Sequence, residues 1–399
     1  MKKIISLLLI LLLCGCAAGK DTASPAAPTG PEWSSLRPDG SLELVYAEEF
    51  AADFYPGGLT LITIGGTDRY LLAAEDAQIP SGLDADITVL RQPLDNLYMA
   101  STSAMDLYRA IGGMVAIRLS SQQESSWYIP EAREAMARGD ILYAGKYSTP
   151  DYELIYNEKC SLAVENTMIY HAPEAKEQLE RLGIPVLVER SSYEKHPLGR
   201  MEWMKLHGLL LGKLDTAQAR FQQELDALSG ILGQENTGKT VAFFAINSTG
   251  SVTVRKTGDY IPRMIDMAGG KYIFTELDTE ETSSATLNMQ MEAFYSGARD
   301  ADVLIYNGAI GQVRSLQELL SLSPLLADFK AVKTGNVWCT GQNVFQETMG
   351  LGSLMRDMHQ VFTAPSPEET GELAVDGRID ALGYTGERES AGFWTRLFG

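Results

Sequence analysis

Leu209-Leu-Leu-Gly-Lys-Leu214-Asp-Thr-Ala-Gln-Ala-Arg-Phe221-Gln-Gln-Glu-Leu225-Asp-Ala-Leu228 decides how this chain is divided. Leu209, Leu210, Leu211, Leu214, Ala217, Phe221, Leu225 and Leu228 recur at the spacing that lines one side of a helix. No proline follows Pro197 before Leu232, and no strand-like run interrupts the pattern. Residues 198–232 therefore predict a connecting helix. At 1.5 Å per residue, about 30 residues would run ~45 Å, the length of a strut between two domains. Gly208 and Gly212 are the points where it would kink or divide in two.

On either side of this stretch, short apolar runs alternate with helical patterns. Before it, Leu59–Ile64, Ile87–Leu90, Ile141–Ala144, Ser161–Glu165 and Ile184–Val188 read as strands. Ala104–Ile111, Ala132–Ala137 and Glu174–Leu182 read as helices, the first closed by Gly112-Gly113. After Gly238 the alternation resumes with the strand Thr240–Ile246 and the helix Ile261–Ala268, stopped by Gly269-Gly270. The strand Asp302–Tyr306, a helix at Leu316–Leu320, a strand into Cys339 and a helix at Leu354–Phe362 complete it. The prediction is an α/β chain of two Rossmann-like lobes with parallel sheets, residues 41–197 and 233–365, joined by a long α-helix. Residues 366–399, rich in Gly and Glu, predict a poorly ordered tail.

The N-terminus carries Lys2 and Lys3, the apolar run Ile4–Leu13, and Leu13-Cys14-Gly15-Cys16. The run is about half of the ~20 residues a membrane-spanning helix needs, so residues 1–15 read as a signal peptide. Leu-x-Gly-Cys at its end resembles the lipobox, which implies a lipid on Cys16. Residues 16–40 then predict a flexible tether, Ala-, Pro-, Thr- and Gly-rich from Lys20 to Pro31. The chain is placed outside the cytoplasm, held to the cell membrane by its lipid. A formal net charge of −19 argues against nucleic acid and anionic membrane surfaces as partners. With Cys16 acylated, the mature cysteines left are Cys160 and Cys339, expected to be buried and free.

Catalytic signatures are weak. Gly233-Gln-Glu-Asn-Thr-Gly238-Lys239-Thr240 fits the phosphate-loop pattern, but a helix precedes it and a strand follows, the inverse of the working order. No G-x-S-x-G or H-E-x-x-H occurs, and His171, His196, His207 and His359 are scattered. The reading is a binding protein and not an enzyme, with a nucleotide-hydrolysing or chelatase-like enzyme as the alternative class. No metal-ligand set and no cofactor are predicted.

An internal echo relates the two halves. Tyr152-Glu153-Leu-Ile-Tyr156 leads into the strand at Ser161, and Met291-Glu292-Ala-Phe-Tyr295 leads into the strand at Asp302. In each, a Glu opens a short helix that feeds a strand.

Several stretches together resemble one family. They are Ser101-Thr-Ser103-Ala104, Pro197-Leu-Gly-Arg-Met-Glu-Trp-Met-Lys205, Val254-Arg255-Lys-Thr-Gly-Asp259-Tyr260, Ala268-Gly-Gly-Lys-Tyr272 and Asp300-Ala-Asp-Val-Leu-Ile-Tyr-Asn307. With the lipobox they are similar to the class III substrate-binding proteins of ABC importers for iron–siderophore complexes, haem and cobalamin. The resemblance spans roughly Leu42 to Phe362. It implies a cleft between the lobes, outside the carboxyl ends of the strands. Ser101, Thr102, Ser103, Trp127, Tyr128 and Tyr147 are the candidate ligand residues of the first lobe. Arg255, Tyr260, Asn307, Gln342 and Asn343 are those of the second, with Arg255 suited to clamp an anionic chelate. Glu153 and Glu292 are implied to dock on arginines of the permease, and Arg200 and Trp203 are assigned to packing. The expected ligand is a ferric siderophore, with a corrinoid and then haem as alternatives, bound by a monomer that moves little on loading.

Overall fold

A computed structural model describes residues 30–277, 285–311, 313, 315–366 and 394–396. The lipobox and Cys16 lie outside the described residues, as does most of the predicted tail. The folded body begins earlier than the expected tether allows. Trp33 is buried against Leu59, Leu71 and Ile87, and its N–H donates to the Ser81 carbonyl at 2.8 Å. The tether prediction is therefore corrected for residues 30–40: an indole that size finds more apolar surface in the fold than in water.

The first sheet is mostly antiparallel, in the order β1 (Gly40–Ser41), β2 (Phe50–Tyr55), β3 (Leu59–Ile64), β4 (Asp68–Ala73), β5 (Ile87–Arg91). Only its β4–β5 pair is parallel. This departs from a first lobe of parallel strands alone. The turns Gly57-Gly58 and Gly65-Gly66, all at positive φ, let successive strands reverse directly.

The parallel sheet of the first lobe follows. Its elements are β6 (Leu97–Met99), α1 (Thr102–Ala110), β7 (Ile117–Ser120), α2 (Pro130–Ala137) and β8 (Leu142–Tyr143). A small hairpin, β9 (Gly145–Lys146) with β10 (Thr149–Pro150), leads to α3 (Tyr152–Asn157). Then come β11 (Ala163–Asn166), α4 (Pro173–Arg181) and β12 (Val186–Glu189). The order β12-β11-β6-β7-β8 puts the carboxyl ends of all five strands along one edge, where the loops collect.

The connector is three helices, α5 (Pro197–Glu202), α6 (Met204–Leu210) and α7 (Leu214–Leu228), and the single long strut is corrected accordingly. Gly212 ends α6 in the left-handed region, at φ 63°. The Lys213 N–H reaches the Gly208 carbonyl at 2.7 Å and the Gly212 N–H the Leu209 carbonyl at 3.1 Å, a Schellman turn. The chain folds back there, so closely that a Cβ on Gly208 would lie 2.7 Å from that of Ala217. Leucine periodicity survives the turn because α6 and α7 both pack apolar faces into one core. The strut is thereby a compact wedge, with α5 against the second lobe, α6 against α1 and α7 against the last helix of the second lobe.

The second lobe runs β13 (Thr240–Ile246), β14 (Val252–Arg255), α8 (Tyr260–Met267), β15 (Lys271–Tyr272), β16 (Thr286–Met289) and α9 (Met291–Ala298). It continues with β17 (Val303–Tyr306), α10 (Leu316–Leu322), α11 (Lys330–Lys333), β18 (Val337–Thr340) and α12 (Leu351–Thr363). β13, β17 and β18 are its parallel core. β19 (Trp394–Arg396) adds an antiparallel edge to β18, so these tail residues are a strand and not disordered chain.

One polar anchor fixes the connector. Glu202 accepts the backbone N–H groups of Val45, Tyr46 and Ala47 at 2.7–3.1 Å, and Lys205 Nζ at 2.7 Å. Glu194 accepts those of Glu48 and Glu49 together with the Trp203 indole N–H at 2.8 Å. Both carboxylates are buried. Glu202→Ala would strand three backbone N–H groups and the buried ammonium of Lys205, so urea unfolding should show a loss of about 3–5 kcal/mol. Exposed Glu235→Ala should change stability by less than about 0.5 kcal/mol in the same assay.

Candidate functional site

The lobes meet where α5 passes between them. Arg200, half-buried on α5, holds its guanidinium 4.1 Å above the Tyr260 ring of the second lobe. Its Nη1 donates to the Ser192 carbonyl of the first lobe at 3.3 Å, so one side chain touches both lobes. Tyr260 opens α8, whose first turn is capped by Asp259 accepting the Ile261 N–H at 3.0 Å. Arg255 lies on the other side of that helix start, 3.5 Å from Asp259 and 5.3 Å from the Phe345 ring centroid. Burial raises the Asp259 pKa, and the charges of Arg255 and Arg200 pull it back. Lys256, next in the chain, is also buried. Three cations thus gather around one helix N-terminus in a strongly acidic chain.

Across from this cluster, Ser101 closes the end of β6. It is fully buried and donates to Glu189 Oε2 at 3.1 Å. Glu189 also accepts the Ser191 N–H at 3.0 Å. Burial raises its pKa, against the pull of Ser191 and then Arg200. Thr102 and Ser103 are half-buried on the first turn of α1, and the Ser103 carbonyl accepts Thr348 Oγ1 from the second lobe at 3.0 Å. The Tyr128 N–H donates to Gln346 Oε1 at 2.8 Å, and Gln346 returns a bond to the Ser126 carbonyl. The loops after β6 and β7 thereby meet the loop after β18.

The residues expected from sequence fall into three groups. Arg255 and Tyr260 lie together at the junction, with Asp259 between them. Tyr128 is exposed at the seam, and Tyr147, Gln342 and Asn343 are half-buried on loops that follow β8 and β18. Trp127 does not present a wall. It is 2% exposed and its indole N–H is spent on Ser120 Oγ at 3.2 Å, so Trp127 supports the Tyr128 loop from beneath. Asn307 is likewise buried, its side-chain oxygen accepting the Ala309 N–H at 3.3 Å. Trp203 is fully buried packing; Arg200 is half-buried and spans both lobes, which the sequence of α5 does not signal. Glu153 and Glu292 both stand exposed in the first turn of a helix, α3 before β11 and α9 before β17. Two cavities, of about 470 Å³ below α3 and α4 and about 390 Å³ between β3–β4 and the α6–α7 turn, lie away from the junction. Lys239 of the phosphate-loop-like run donates to the Ala364 carbonyl at 2.7 Å, with β13 starting directly after it.

Two α/β lobes that close on a cationic junction through one connector define a solute-binding protein. The chain belongs to the periplasmic binding protein family, whose model matches residues 107–344, more than half of its length. It is a substrate-binding protein of the ABC-importer type. Among curated proteins, an uncharacterized lipoprotein of Methanocaldococcus jannaschii is 26% identical over 305 residues, 72% of this chain and 70% of the relative. A second lipoprotein of that organism is 25% identical over 345 residues, 82% of this chain and 85% of the relative. Among solved structures, a periplasmic haem binding protein of Pseudomonas aeruginosa matches with TM-score 0.52 at 15% identity, over 68% of this chain and 93% of that one. A periplasmic catecholate-siderophore binding protein of Vibrio cholerae matches with TM-score 0.52 at 14% identity, over 67% and 94%. A TroA-like periplasmic binding protein of Veillonella parvula matches with TM-score 0.54 at 12% identity, over 77% and 96%. At these identities the likeness to the solved structures is one of fold.

Among the described residues, no group of three or more His, Cys, Asp or Glu is placed to hold an ion. His207 is fully buried between Tyr108 and Trp203, and burial lowers its pKa to about 3. Cys160 and Cys339 are unpaired and buried, and burial pushes each thiol up to about 11. Only thiolate reacts readily. The soluble chain from Lys20 onward should therefore leave both thiols untouched by a disulfide reagent at pH 8, and release two equivalents once guanidinium unfolds it.

Proposed function

We propose that this chain is an extracytoplasmic lipoprotein, anchored through Cys16, that captures an anionic metal chelate between its lobes for an ABC permease. The observation that carries the reading is the gathering of Arg200, Arg255 and Lys256 at the start of α8, in a chain of net charge −19. A protein this acidic repels anions over most of its surface, and a local cationic site at the lobe junction attracts them there. Guanidinium groups suit carboxylates and catecholate oxygens because they donate in a planar fork. The ligand we favour is a ferric siderophore, whose metal arrives already coordinated and asks for no protein ligand set. A corrinoid or haem is the alternative within the same site, bound with no further cofactor. Two fold neighbours support the range, one a haem binding protein and the other a catecholate-siderophore binding protein. The lipid anchor is supported by the lipobox-like Leu13-Cys14-Gly15-Cys16 and by relatives that are named lipoproteins.

Glu153 and Glu292 are the residues we assign to permease docking. Each is exposed at the same place in its lobe, and neither forms an ion pair among the described residues. One acid per lobe makes docking bivalent, so each contact raises the effective concentration of the other.

The test is a melting-temperature screen of the chain from Lys20 onward against ferric siderophores, haemin and cobalamins. One chelate should raise the melting temperature by several degrees, because it binds the folded form alone. Arg200→Ala and Arg255→Ala should each weaken that chelate about tenfold or more, the loss of ~1.4 kcal/mol or more of charge-assisted bonding. No response to any of the three classes would refute the reading. Glu153→Ala and Glu292→Ala should leave chelate affinity unchanged and reduce stimulation of the permease ATPase, the double variant most.

A further inference from the structure

The side of the junction opposite the arginines is acidic. Asp106 is fully buried on α1, where Arg109 Nη2 meets its Oδ1 at 2.7 Å and the Met349 N–H of the second lobe meets its Oδ2 at 2.8 Å. Glu347, also of the second lobe and 5% exposed, accepts Asn343 Nδ2 at 2.8 Å. Glu131 on α2 stands 3.7 Å from Arg109 Nη1, and its other oxygen is buried with no hydrogen-bond partner. Asp106 and Glu131 therefore share one guanidinium, and Glu347, two residues before Met349, brings a third carboxyl to the same seam between the lobes. Burial raises the Asp106 pKa, against the pull of the Arg109 guanidinium and of the Met349 N–H. Glu347 has a single amide and faces two like charges.

We propose that this cluster is a proton-operated latch on the lobes: a proton on Glu347 lets the second lobe seat on α1, and its loss drives the seam apart. The groups facing Glu347 are Asp106 and Arg109 from α1, Glu131 from α2, and Asn343 from its own segment. Burial, then Asp106, hold its pKa up to about 8, with Asn343 and Arg109 opposing and Glu131 adding. The sign follows from that shift. With the closed value near 8 and the ordinary carboxyl value of 4.5 regained on opening, closure takes up a proton between those two values. The closed seam is strongest at the acid end of that window and weakens as pH rises through about 8. From pH 6.5 to pH 9 the linkage moves the open-to-closed ratio roughly 30-fold toward open. Asn343 joins this latch to the loop we assign to the ligand, so a chelate held between the lobes would be gripped more tightly at lower pH. That consequence rests on the proposed function; the latch itself does not.

The latch is tested without any chelate. Spin labels go on the exposed positions Glu177 of α4 and Gln317 of α10, as Glu177→Cys with Gln317→Cys in the mature chain, where the buried Cys160 and Cys339 stay unlabelled. Pulsed dipolar spectroscopy should give one narrow distance at pH 6.5 and an added population at a different distance at pH 9, with far-ultraviolet dichroism unchanged. Glu347→Gln should keep the narrow distribution at both pH values. Glu131→Gln removes one of the repelling charges and should move the midpoint of opening to higher pH, a shift that a purely structural role for Glu131 would not produce. A wild-type distribution that is the same at both pH values overturns the latch. So does a Glu347→Gln chain that opens as the wild type does, or a wild type that simply loses its dichroism at pH 9.

Discussion

Five consecutive backbone N–H groups, from Val45 to Glu49, are held by two buried carboxylates of the connector, and the placing of both lobes depends on that clasp. Buried carboxylates are tolerated only when their lone pairs are filled, and here five amides, an indole N–H and Lys205 fill them. The clasp is specific in direction. It fixes where α5 begins, and hence where Arg200 emerges, because Glu194 and Glu202 flank that residue in sequence. From there the guanidinium reaches Ser192 on one side and Tyr260 on the other. Without the clasp, α5 would retain its apolar contacts but lose its register against the first sheet.

The junction built on that clasp divides its charge. Arginines and a lysine gather at the start of α8, and three carboxyl groups gather on the other side, two of them paired with Arg109. The first half of this arrangement invites an anion. The second makes the closeness of the lobes depend on a proton. Direct bonds across the seam, from Gln346, Thr348 and Met349, hold the rest of the interface and leave the carboxyl cluster as its titrating part.

Much of the fold was legible because periodicity reports burial. The strands at Leu59, Ile87, Ser161, Thr240 and Asp302 were visible as short apolar runs, α1, α4 and α8 as helical spacing bounded by glycine, and α12 as helical spacing alone. The connector reads as one long helix that Gly208 or Gly212 would kink or divide, because leucine spacing continues through Gly212 and periodicity alone does not say whether a glycine bends a helix or ends it. Trp33 escaped because Pro, Ala and Gly on its N-terminal side resemble a tether, and its partners lie at Leu59 and Ile87. Arg255 and Tyr260 were legible through a family-like run. Arg200 stood in such a run too, yet its role depends on Tyr260, some sixty residues away, and no local pattern encodes that distance. Trp127 shows the reverse: an aromatic in a loop suggests a wall, but here it packs into the core with its indole N–H on Ser120. Glu347 gave no signal, since its character comes from burial at the seam and then from Asp106 in the other lobe.

The most direct measurement is the crystal structure of the chain soaked or grown with a ferric siderophore, with diffraction collected at the iron absorption edge. The account predicts one anomalous peak at the lobe junction, with oxygen atoms of the chelate within hydrogen-bonding distance of Arg200 or Arg255 and no protein atom coordinating the metal. A peak in either outlying cavity, or iron bound directly by side chains, would contradict it.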